Sequence, residues 1–568
     1  MPTPPYQSTI KFTDVTTAFG LSINPPSRSL GGSFRFVPGT YTPSTPVIPT
    51  GPIASISLSY HLGGKSSVSG GWIAAMNFGN GGRGLMVATD DTYIYVAGQI
   101  TGTATAWNAA GTASISAVAT TGSGVALVQY NTSGTPLWIT VIDGAGTDLV
   151  GYISCRGDGI YVSGRAGTTW PTAKNASNPS IGKTITGTVN TIGWFIAKYN
   201  SSGDALYMIG TTAGASQNAH VFEIDYDGAV FAAGRSGGSG QILNAYGPGG
   251  SSVVSANAPT FTPNFVLCWI ARWDTNGTPQ WIRFDRTNNA GGYGTGVATG
   301  IYNFYPAAVV VSGCGGSVTP IAYDGAGNVL ILSTKAAQAA TTTCVSLTQD
   351  FGGAEWMTVI YNTYINDTVG SACVASYPGY FGKPYLEDSP YYVCGTSVSG
   401  VAPIAYSAGT TTGVTAVPVP TLRGAWLAKF SWDGQVLWIA TIDGPGDNYA
   451  TAVNVDSDNF IYVNVTVTDQ NTVNAYNAGS TTSFVTSVTS GGSGTVIVKY
   501  DTNGTAINTC ISYNFNTGGR LVNNLIVTGG NRYKTGSIAG GTFNWQVITP
   551  EGITIDSTNQ QVGILAKF

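Results

Sequence analysis

Side chains that could do chemistry are few in this sequence. It has two histidines, His61 and His220, and a handful of glutamates spread along the chain: Glu223, Glu355, Glu387 and Glu551. A Ser-His-Asp triad would need one of the two histidines, and no G-x-S-x-G turn surrounds a suitable serine. No histidines or carboxylates stand at the spacing of metal ligands. The sequence therefore predicts a protein that is not an enzyme and that holds no cofactor and no metal.

Two loops of the same pattern carry pairs of aspartates. They read DGAGTD, with Asp143 and Asp148, and DGPGDN, with Asp443 and Asp447. Carboxylate oxygens at this density could hold Ca²⁺, although the D-x-D-x-D-G spacing of an EF-hand loop is absent. Aspartates in such loops also tie turns by accepting hydrogen bonds from backbone N–H groups. We favour this second interpretation, with calcium as the alternative.

The stretch YPGYFGKPYLEDSPYY, from Tyr377, is the most distinctive loop of the chain. Tyrosine rings are amphipathic and lose little conformational entropy on contact, so they suit stacking on sugars. We therefore predict ligand-binding residues at five of its tyrosines: Tyr377, Tyr380, Tyr385, Tyr391 and Tyr392. Glu387 and Asp388 in the same stretch would be the acid and base of a glycoside hydrolase if the chain cleaved sugars. The alternative is a long loop that packs on its own sheet.

These candidate sites lie within a repeat of about 70 residues. The repeat begins with a strand that ends in Lys-Tyr or its equivalent, as in WFIAKY from Trp194, WLAKF from Trp426 and VIVKY from Val496. A turn with Asn, Asp or Ser first and Gly last follows, and then a strand with an aromatic residue, as in PLWITVI and VLWIATI. Apolar and polar residues alternate in the strands that complete the unit.

Two independent markers indicate the number of repeats. The Lys-Tyr strand occurs seven times when degenerate copies are included, and the segment Ala-Tyr-x-x-Gly or a similar one also occurs seven times. The first unit lacks its own Lys-Tyr strand and begins at WIAAMNF, from Trp72. The chain ends on GILAKF, Gly563 to Phe568, which supplies the missing strand. The sequence therefore predicts an all-β fold: a seven-bladed β-propeller over residues 71–568, closed by the C-terminal strand and preceded by a short N-terminal arm over residues 1–70.

Charge and composition exclude several classes of function. Only 9% of the residues are charged and the net charge is −4, with no basic cluster, so the chain is not expected to bind nucleic acid. No segment reaches the roughly 20 consecutive apolar residues of a membrane span, and the N-terminus has no signal-peptide pattern. The seven cysteines are odd in number, widely spaced and without a C-x-x-C pair, which argues against a disulfide framework and a structural zinc site.

The repeat resembles the Gly-rich propeller repeats known as SBBP repeats. Their pattern is similar to D-x-F-V-A-K-Y-x-x-x-G-x-x-x-W, then G-G-x-G-x-D, then V-D-x-x-G-N-x-Y-V-x-G. The stretch WLAKFSWDGQVLWIATIDGPGDNYATAVNVDSDNFIYVNV, from Trp426, carries the match most clearly. The resemblance covers roughly residues 72 to 568, and it implies a propeller fold without implying one activity.

The first 70 residues resemble a short segment of structural proteins from tailed phages and large DNA viruses. The matching parts are IKFTDVTTAFG, from Ile10, and SISLSYHLGG, from Ser55. This resemblance implies that the arm anchors the chain in a virus particle, through residues that include Phe12, Asp14, Phe19 and Leu58. The alternative is an ordinary arm that lies on the ring.

The combined prediction is a non-enzymatic virion structural protein: a spike, a fibre or a decoration of the capsid. Its expected location is the virion, and its expected partners are other virion proteins bound through the arm. One face of the propeller would bind a host surface glycan or receptor. Assembly into a homo-oligomer is compatible with this prediction. The alternative is a secreted or surface propeller that binds or cleaves carbohydrate.

Overall fold

The computed structural model describes most of the chain between Trp72 and Lys567, all of it within the unit Gly71–Phe568. The described residues are 72–77, 86–90, 92–156, 159–186, 192–213, 218–224, 228–236, 241–259, 267–286, 295–302, 305–314, 321–323, 326, 328–333, 341–348, 352–364, 372–376, 390–411, 413–456, 458–468, 472–487, 494–513, 524–528, 531–538, 543–548, 553–557 and 562–567. The predicted N-terminal arm lies outside these ranges, and so do its four anchoring residues: Phe12, Asp14, Phe19 and Leu58.

The described residues form β-strands joined by turns, with one short 3₁₀ turn at Pro248–Gly250, so the predicted all-β fold is confirmed. The strands that begin before residue 260 are β1 (Trp72–Asn77), β2 (Met86–Thr89), β3 (Tyr93–Trp107), β4 (Ser114–Asn131), β5 (Pro136–Asp143), β6 (Leu149–Arg156), β7 (Gly159–Arg165), β8 (Thr172–Lys174), β9 (Gly182–Lys183), β10 (Ile192–Tyr199), β11 (Ala205–Ala213), β12 (Asn218–Ile224), β13 (Val230–Ser236), β14 (Ile242–Tyr246) and β15 (Val253–Asn257). Those between residues 260 and 400 are β16 (Leu267–Trp273), β17 (Pro279–Arg286), β18 (Thr295–Tyr302), β19 (Tyr305–Cys314), β20 (Ile321–Tyr323), β21 (Val329–Leu332), β22 (Thr341–Thr348), β23 (Ala354–Tyr361), β24 (Thr363–Tyr364), β25 (Ala372–Ser376) and β26 (Tyr391–Ser397).

The strands after residue 400 are β27 (Ile404–Tyr406), β28 (Gly413–Thr415), β29 (Ala425–Phe430), β30 (Val436–Asp443), β31 (Asn448–Val455), β32 (Ile461–Val467), β33 (Thr472–Tyr476), β34 (Ser483–Ser487), β35 (Gly494–Tyr500), β36 (Ala506–Tyr513), β37 (Asn524–Thr528), β38 (Asn531–Ile538), β39 (Phe543–Ile548), β40 (Ile553–Ser557) and β41 (Val562–Lys567). Within the described ranges, no helix is both long and apolar enough to span a membrane.

The turn that follows each Lys-Tyr strand takes its shape from two residue types. After β10, the side chain of Asn200 accepts hydrogen bonds from the backbone N–H groups of Ser202 and Asp204, at 3.0 and 2.9 Å. Gly203 has a φ of +80°, a left-handed conformation that glycine adopts without strain. The register of β10 against β11 shifts at this turn, which is typical of a hairpin that ends in a bulge. A φ of 79° or 80° recurs at the last residue of four other turns: Gly134, Gly277, Gly434 and Gly504.

The described strands form six antiparallel sheets, four of which share one strand order. Sheet II shows this order in its simplest form, β6-β7-β10-β11-β14-β15. Three others repeat it: sheet III (β12-β13-β16-β17-β20-β21), sheet IV (β18-β19-β22-β23-β27-β28) and sheet VI (β31-β32-β35-β36-β39-β40). Sheet V has β26-β29-β30-β33-β34, with both β24 and β25 paired to β26 at the first edge. Sheet I is larger, with the order β37-β38-β41-β1-β3-β4-β5-β8-β9 and β2 paired to β3.

Neighbouring sheets are interleaved along the chain. The chain leaves sheet II after β11 and forms β12 and β13, which begin sheet III. It then returns to sheet II to add the hairpin β14–β15, and only afterwards continues sheet III at β16. We call such a hairpin, formed by the last two strands of a sheet, its outer hairpin. Sheets III to VI repeat this sequence of connections. Each outer hairpin therefore follows, in chain order, the first two strands of the next sheet.

Sheet I joins the two ends of the described chain. β41 lies between β1 and β38 and is antiparallel to both strands. Its register with β1 runs from Trp72 opposite Lys567 to Met76 opposite Gly563. The C-terminal strand therefore has hydrogen-bonded neighbours from both ends of the chain.

The apolar core lies between neighbouring sheets. Trp194 of β10 in sheet II and Phe222 and Trp269 of sheet III belong to one buried cluster. In the middle strands both faces are buried, as in β26, where all seven residues are buried. One series of contacts between sheets follows the order β2, β6, β12, β18, β25, β31, β37, and β37 also contacts β2.

Removal of the last six residues, Gly563 to Phe568, is expected to destabilise the protein, because it leaves β1 and β38 with unpaired edges. We expect the midpoint of thermal unfolding to fall by at least about 5 °C and the protein to aggregate, as measured by scanning fluorimetry and size-exclusion chromatography. A control chain with a short Gly-Ser tail added after Phe568 keeps β41 and should keep its midpoint. A truncated chain as soluble and as stable as the full-length chain would contradict the role assigned to β41.

Candidate functional site

The repeated lysine of the Lys-Tyr strand is a buried structural residue. Lys198 on β10 lies directly opposite Tyr161 on β7 and Tyr207 on β11. Its Nζ atom is 5.2 Å and 5.5 Å from the centroids of those two rings, and the residue is 4% exposed. Lys429 on β29 lies in the same way between Tyr392 and Trp438. The row of aromatic, cationic and aromatic side chains therefore stabilises the sheet through cation–π contacts.

Where the repeat carries its tryptophan, that residue connects one sheet to the next, as two junctions illustrate. The Nε1–H group of Trp138 on β5 donates to the carbonyl of Ser201, in the hairpin turn of the next sheet, at 3.0 Å. Trp438 on β30 donates in the same way to the carbonyl of Thr502, at 3.1 Å. Lys429 adds a second donor to that carbonyl at 2.8 Å. The tryptophan and the lysine of one sheet therefore bind the turn of the following sheet.

The Ala-Tyr-x-x-Gly marker completes the same contact. The backbone N–H of Ala176 donates to the carbonyl of the turn residue Gly203, and that of Ala478 donates to Gly504, both at 2.9 Å. A Cβ atom on Gly504 would lie 2.5 Å from the Cβ of Ala478 and 3.1 Å from Cδ2 of Trp438. We use the name marker alanine for Ala478 of NAYNAG and for its counterpart Ala176. The repeated tryptophan, the marker alanine and the turn glycine together form what we call the inter-sheet clamp. Both repeat markers of the sequence therefore contribute to packing between sheets.

The first acidic loop is tied by its own aspartate. Asp148 is fully buried, and its two carboxylate oxygens accept hydrogen bonds from the backbone N–H groups of Gly144 and Gly167, both at 2.8 Å. Burial raises the pKa of Asp148 to about 6, and the nearby Asp143 acts in the same direction. Asp143 itself forms an ion pair with Lys174 at 3.4 Å. These bonds support the turn-tying interpretation of DGAGTD.

The aspartates of the second acidic loop also accept hydrogen bonds from within the protein. Asp443 accepts hydrogen bonds from both the backbone N–H and the hydroxyl of Thr421, at 3.0 Å each. Asp447 is paired with Arg423, at 3.1 Å. Among the described residues, no group of three or more His, Cys, Asp or Glu side chains could hold a metal ion. The geometry of both loops therefore favours turn-tying over calcium binding.

The predicted ligand-binding tyrosines divide into two sets. Tyr391 and Tyr392 lie on β26, and both are buried. The ring of Tyr391 is stacked on Trp356 at 5.5 Å and on Phe430 at 5.2 Å. These two rings are core residues, so neither offers a free face to a sugar, and that part of the prediction is corrected. The other three fall outside the described residues: Tyr377, Tyr380 and Tyr385.

The glutamates are not arranged as a catalytic pair in the described part of the chain. Glu223 on β12 forms an ion pair with Arg156 at 3.5 Å, and burial, opposed by that arginine, raises its pKa. Glu355 on β23 accepts a hydrogen bond from Ser346 at 3.1 Å. Glu387 and Asp388 lie outside the described residues.

A cavity between sheets II and III has a volume of about 10 Å³, which is room for one water at most.

One partly exposed group of charged and aromatic side chains was missed by the sequence analysis. We call it the Arg423 cluster: Tyr364, Arg423, Asp447 and Tyr449. The Arg423 guanidinium lies 4.0 Å from the ring centroid of Tyr364, and its Nη1 donates to Asp447 at 3.1 Å and to the hydroxyl of Tyr449 at 3.0 Å. The hydroxyl of Tyr449 donates in turn to Asp447 at 2.9 Å. The side chains of Arg423 and Asp447 are 33% and 30% exposed.

The Arg423 cluster lies where sheets V and VI meet. Tyr364 lies on β24, at the first edge of sheet V, and Tyr449 is the second residue of β31, the first strand of sheet VI. Arg423 precedes β29, the middle strand of sheet V that carries a Lys-Phe copy of the motif. Burial raises the pKa of the Tyr449 hydroxyl, and its hydrogen bond to Asp447 adds to that effect, so the hydroxyl keeps its proton. The cluster is therefore a rigid surface with aromatic, donor and acceptor groups.

Comparison with known proteins adds no family. No family model matches the sequence, and no curated protein matches it. The similarity to SBBP repeats and to the viral N-terminal segment therefore stays a prediction.

Substitution of the turn glycine is expected to break the inter-sheet clamp. Gly504→Ala places a Cβ against Ala478 and Trp438, which adds about 1–3 kcal/mol of overpacking to about 1 kcal/mol of left-handed backbone strain. Gly479 is the matched control, because its φ is +65° and a Cβ at this position would meet no neighbouring atom within 4 Å, so Gly479→Ala costs the strain alone. Thermal unfolding should show a clearly larger loss for Gly504→Ala. Equal losses would contradict the clamp.

The stability of the protein should depend on the ionisation of Asp148. Its pKa is raised to about 6 in the folded chain, so the folded state binds a proton more tightly than the unfolded state, and stability should rise as the pH falls from about 6 to about 4. The gain is up to about 3 kcal/mol. We expect Asp148→Asn to flatten this part of the curve of thermal midpoint against pH.

Asn448 supplies the converse test, because it is buried at the equivalent position of the second acidic loop. Asn448→Asp would add a second buried carboxyl group and make the same pH dependence steeper. A curve that is unchanged in both variants would remove Asp148 as its source.

Proposed function

We propose that residues 71–568 form a seven-bladed β-propeller closed by the C-terminal strand. The division of sheet I supports this proposal. The register between β3 and β4 shifts between Thr101 and Thr103, so that each strand has two halves with different neighbours. One half adds an outer hairpin to β37-β38-β41-β1, and the other half joins β2, β5, β8 and β9. Sheet I then contains two units of the common order, which together with sheets II to VI makes seven.

The contacts of the innermost strands support a closed ring. Each of these strands contacts the next in chain order, from β2 through β6, β12, β18, β25 and β31 to β37. The contact of β37 with β2 returns the series to its beginning. A row of seven units without closure would leave the first and last innermost strands apart.

We infer that the ring is a non-enzymatic virion structural protein: a spike, a fibre or a capsid decoration. The observation that carries the proposal is the use of the repeat residues, because the lysine, tryptophan and glycine of the motif bind one sheet to the next. Such a repeat builds a rigid scaffold and leaves recognition to individual loops. The acidic loops have their hydrogen bonds within the protein, which supports a role without catalysis. The arm over residues 1–70 would bind other virion proteins.

A second candidate function is carbohydrate binding, by a virion protein or by a secreted or surface propeller. The Arg423 cluster favours it, because tyrosine rings beside a fixed arginine and aspartate suit a sugar. Host attachment through a glycan would unite the two candidates.

The virion proposal is tested on purified virus particles. We expect mass spectrometry to detect peptides of this chain in particles that have been freed of cell debris on a density gradient. Gold-labelled antibody against residues 71–568 should mark the particle surface, because the ring is displayed outward. Pre-immune serum and particles pre-incubated with the purified ring are the controls. Absence of the chain from such particles would refute the virion proposal, and internal labelling alone would refute surface display.

A further inference from the structure

The junction between sheets V and VI has an internal counterpart in the same chain. The backbone N–H of Asn448 donates to the carbonyl of Arg423 at 2.7 Å. At the junction between sheets I and II, the backbone N–H of Asp148 donates to the carbonyl of Ser123 at 2.9 Å. The loops before them, DGPGDN and DGAGTD, have the same length. Ser123 is therefore the structural equivalent of Arg423.

The same alignment pairs the other residues of the cluster. Thr147 is the equivalent of Asp447, and Leu149 is the equivalent of Tyr449. The first junction thus has neither a charge nor an aromatic ring at these positions, although the backbone contact is the same. Because the fold forms there without them, the charges and the ring at the other junction are not required by the architecture. Residues that depart from a structural repeat together are candidates for function.

Arg423 is held so that part of its guanidinium is available. Nη1 makes both side-chain hydrogen bonds, to Asp447 and to Tyr449. Within the described part of the chain, Nε and Nη2 have no acceptor, so three of the five N–H donors of the side chain are unused. The stacking on Tyr364 and the two bonds of Nη1 fix the plane of the group. A ligand therefore meets a donor edge that loses little entropy on binding.

Two apolar residues close to Arg423 in sequence are exposed. Leu422, the neighbour of Arg423 in sequence, is 41% exposed, and Val419 is 57% exposed. Tyr449 and Tyr364 are both partly exposed. The surface therefore combines apolar area with directional hydrogen-bond donors.

We propose that the Arg423 cluster is a subsite for a neutral pyranose sugar. Adjacent hydroxyl groups of the sugar accept hydrogen bonds from Nε and Nη2 of Arg423, and the C–H face of the ring packs on tyrosine and on Leu422. The ion pair of Arg423 with Asp447 makes the site close to neutral, which favours a sugar without a carboxylate over an acidic one. This inference extends the carbohydrate-binding candidate of the proposed function. The two are tested separately, because sugar binding is measured on the purified chain and virion location on particles.

The test is saturation-transfer NMR on the purified full-length chain. The probes are the methyl glycosides of glucose, galactose and mannose, together with the methyl glycoside of sialic acid, each at concentrations up to about 10 mM, because a single shallow subsite binds in the millimolar range. We expect transfer to at least one neutral glycoside. The triple variant Arg423→Ser, Asp447→Thr and Tyr449→Leu carries the residues of the first junction. It should fold, with an unchanged circular-dichroism spectrum, and lose the transfer.

Two further variants separate the cluster from a general apolar contact. Arg423→Lys keeps the charge but loses the planar donor edge, so the affinity should fall about tenfold. Leu149→Tyr adds a tyrosine at the first junction without an arginine, and it should leave binding unchanged. Absence of transfer from every glycoside would overturn the proposal, as would full transfer in the triple variant. Transfer from the sialic acid glycoside alone would overturn the choice of a neutral sugar.

Discussion

The contact on which this structure depends is the one between the tryptophan of one sheet and the hairpin turn of the next. A turn glycine with a φ near +80° has no side chain, so the indole ring and the marker alanine can approach its backbone closely. The carbonyls of the turn then accept hydrogen bonds from the indole, from the lysine and from the alanine backbone. One short turn therefore ends a hairpin and also joins two sheets.

Packing between sheets accounts for the low content of charged residues, 9% of the chain. Neighbouring sheets pack against each other, so the middle strands have buried side chains on both faces, and a polar side chain is most stable there when it has a partner. The lysine of the repeat meets that condition because aromatic rings flank it on both adjacent strands. The aspartates of the loops meet it through backbone N–H groups. The repeated lysine and the loop aspartate Asp148 are thus engaged in contacts within the folded chain.

The interleaved connections give the scaffold a second constraint. Because each outer hairpin follows the first strands of the next sheet in the chain, no sheet is formed by one continuous segment. Strand pairing between residues far apart in sequence is slow to form. The chain segments that pass between consecutive sheets link these sheets covalently, in addition to their packing. A scaffold of this kind tolerates changes where loops meet the surface, and the Arg423 cluster is one such change. Its four residues alter the chemistry of a junction whose backbone is the same elsewhere in the chain.

The sequence by itself determined the strand content, the turns and the period, because alternation, glycine position and the spacing of Lys-Tyr are local signals. It also placed the C-terminal strand beside Trp72, since the first unit lacks one strand. It misjudged Tyr391 and Tyr392, because a run of tyrosines next to a polar loop does not reveal where the buried strand begins. Only the tertiary structure decided that the outer hairpins are interleaved and that Arg423 meets Tyr364, Asp447 and Tyr449. Those residues are up to 85 positions apart and lie on two sheets, and no local pattern encodes a contact that is made by packing.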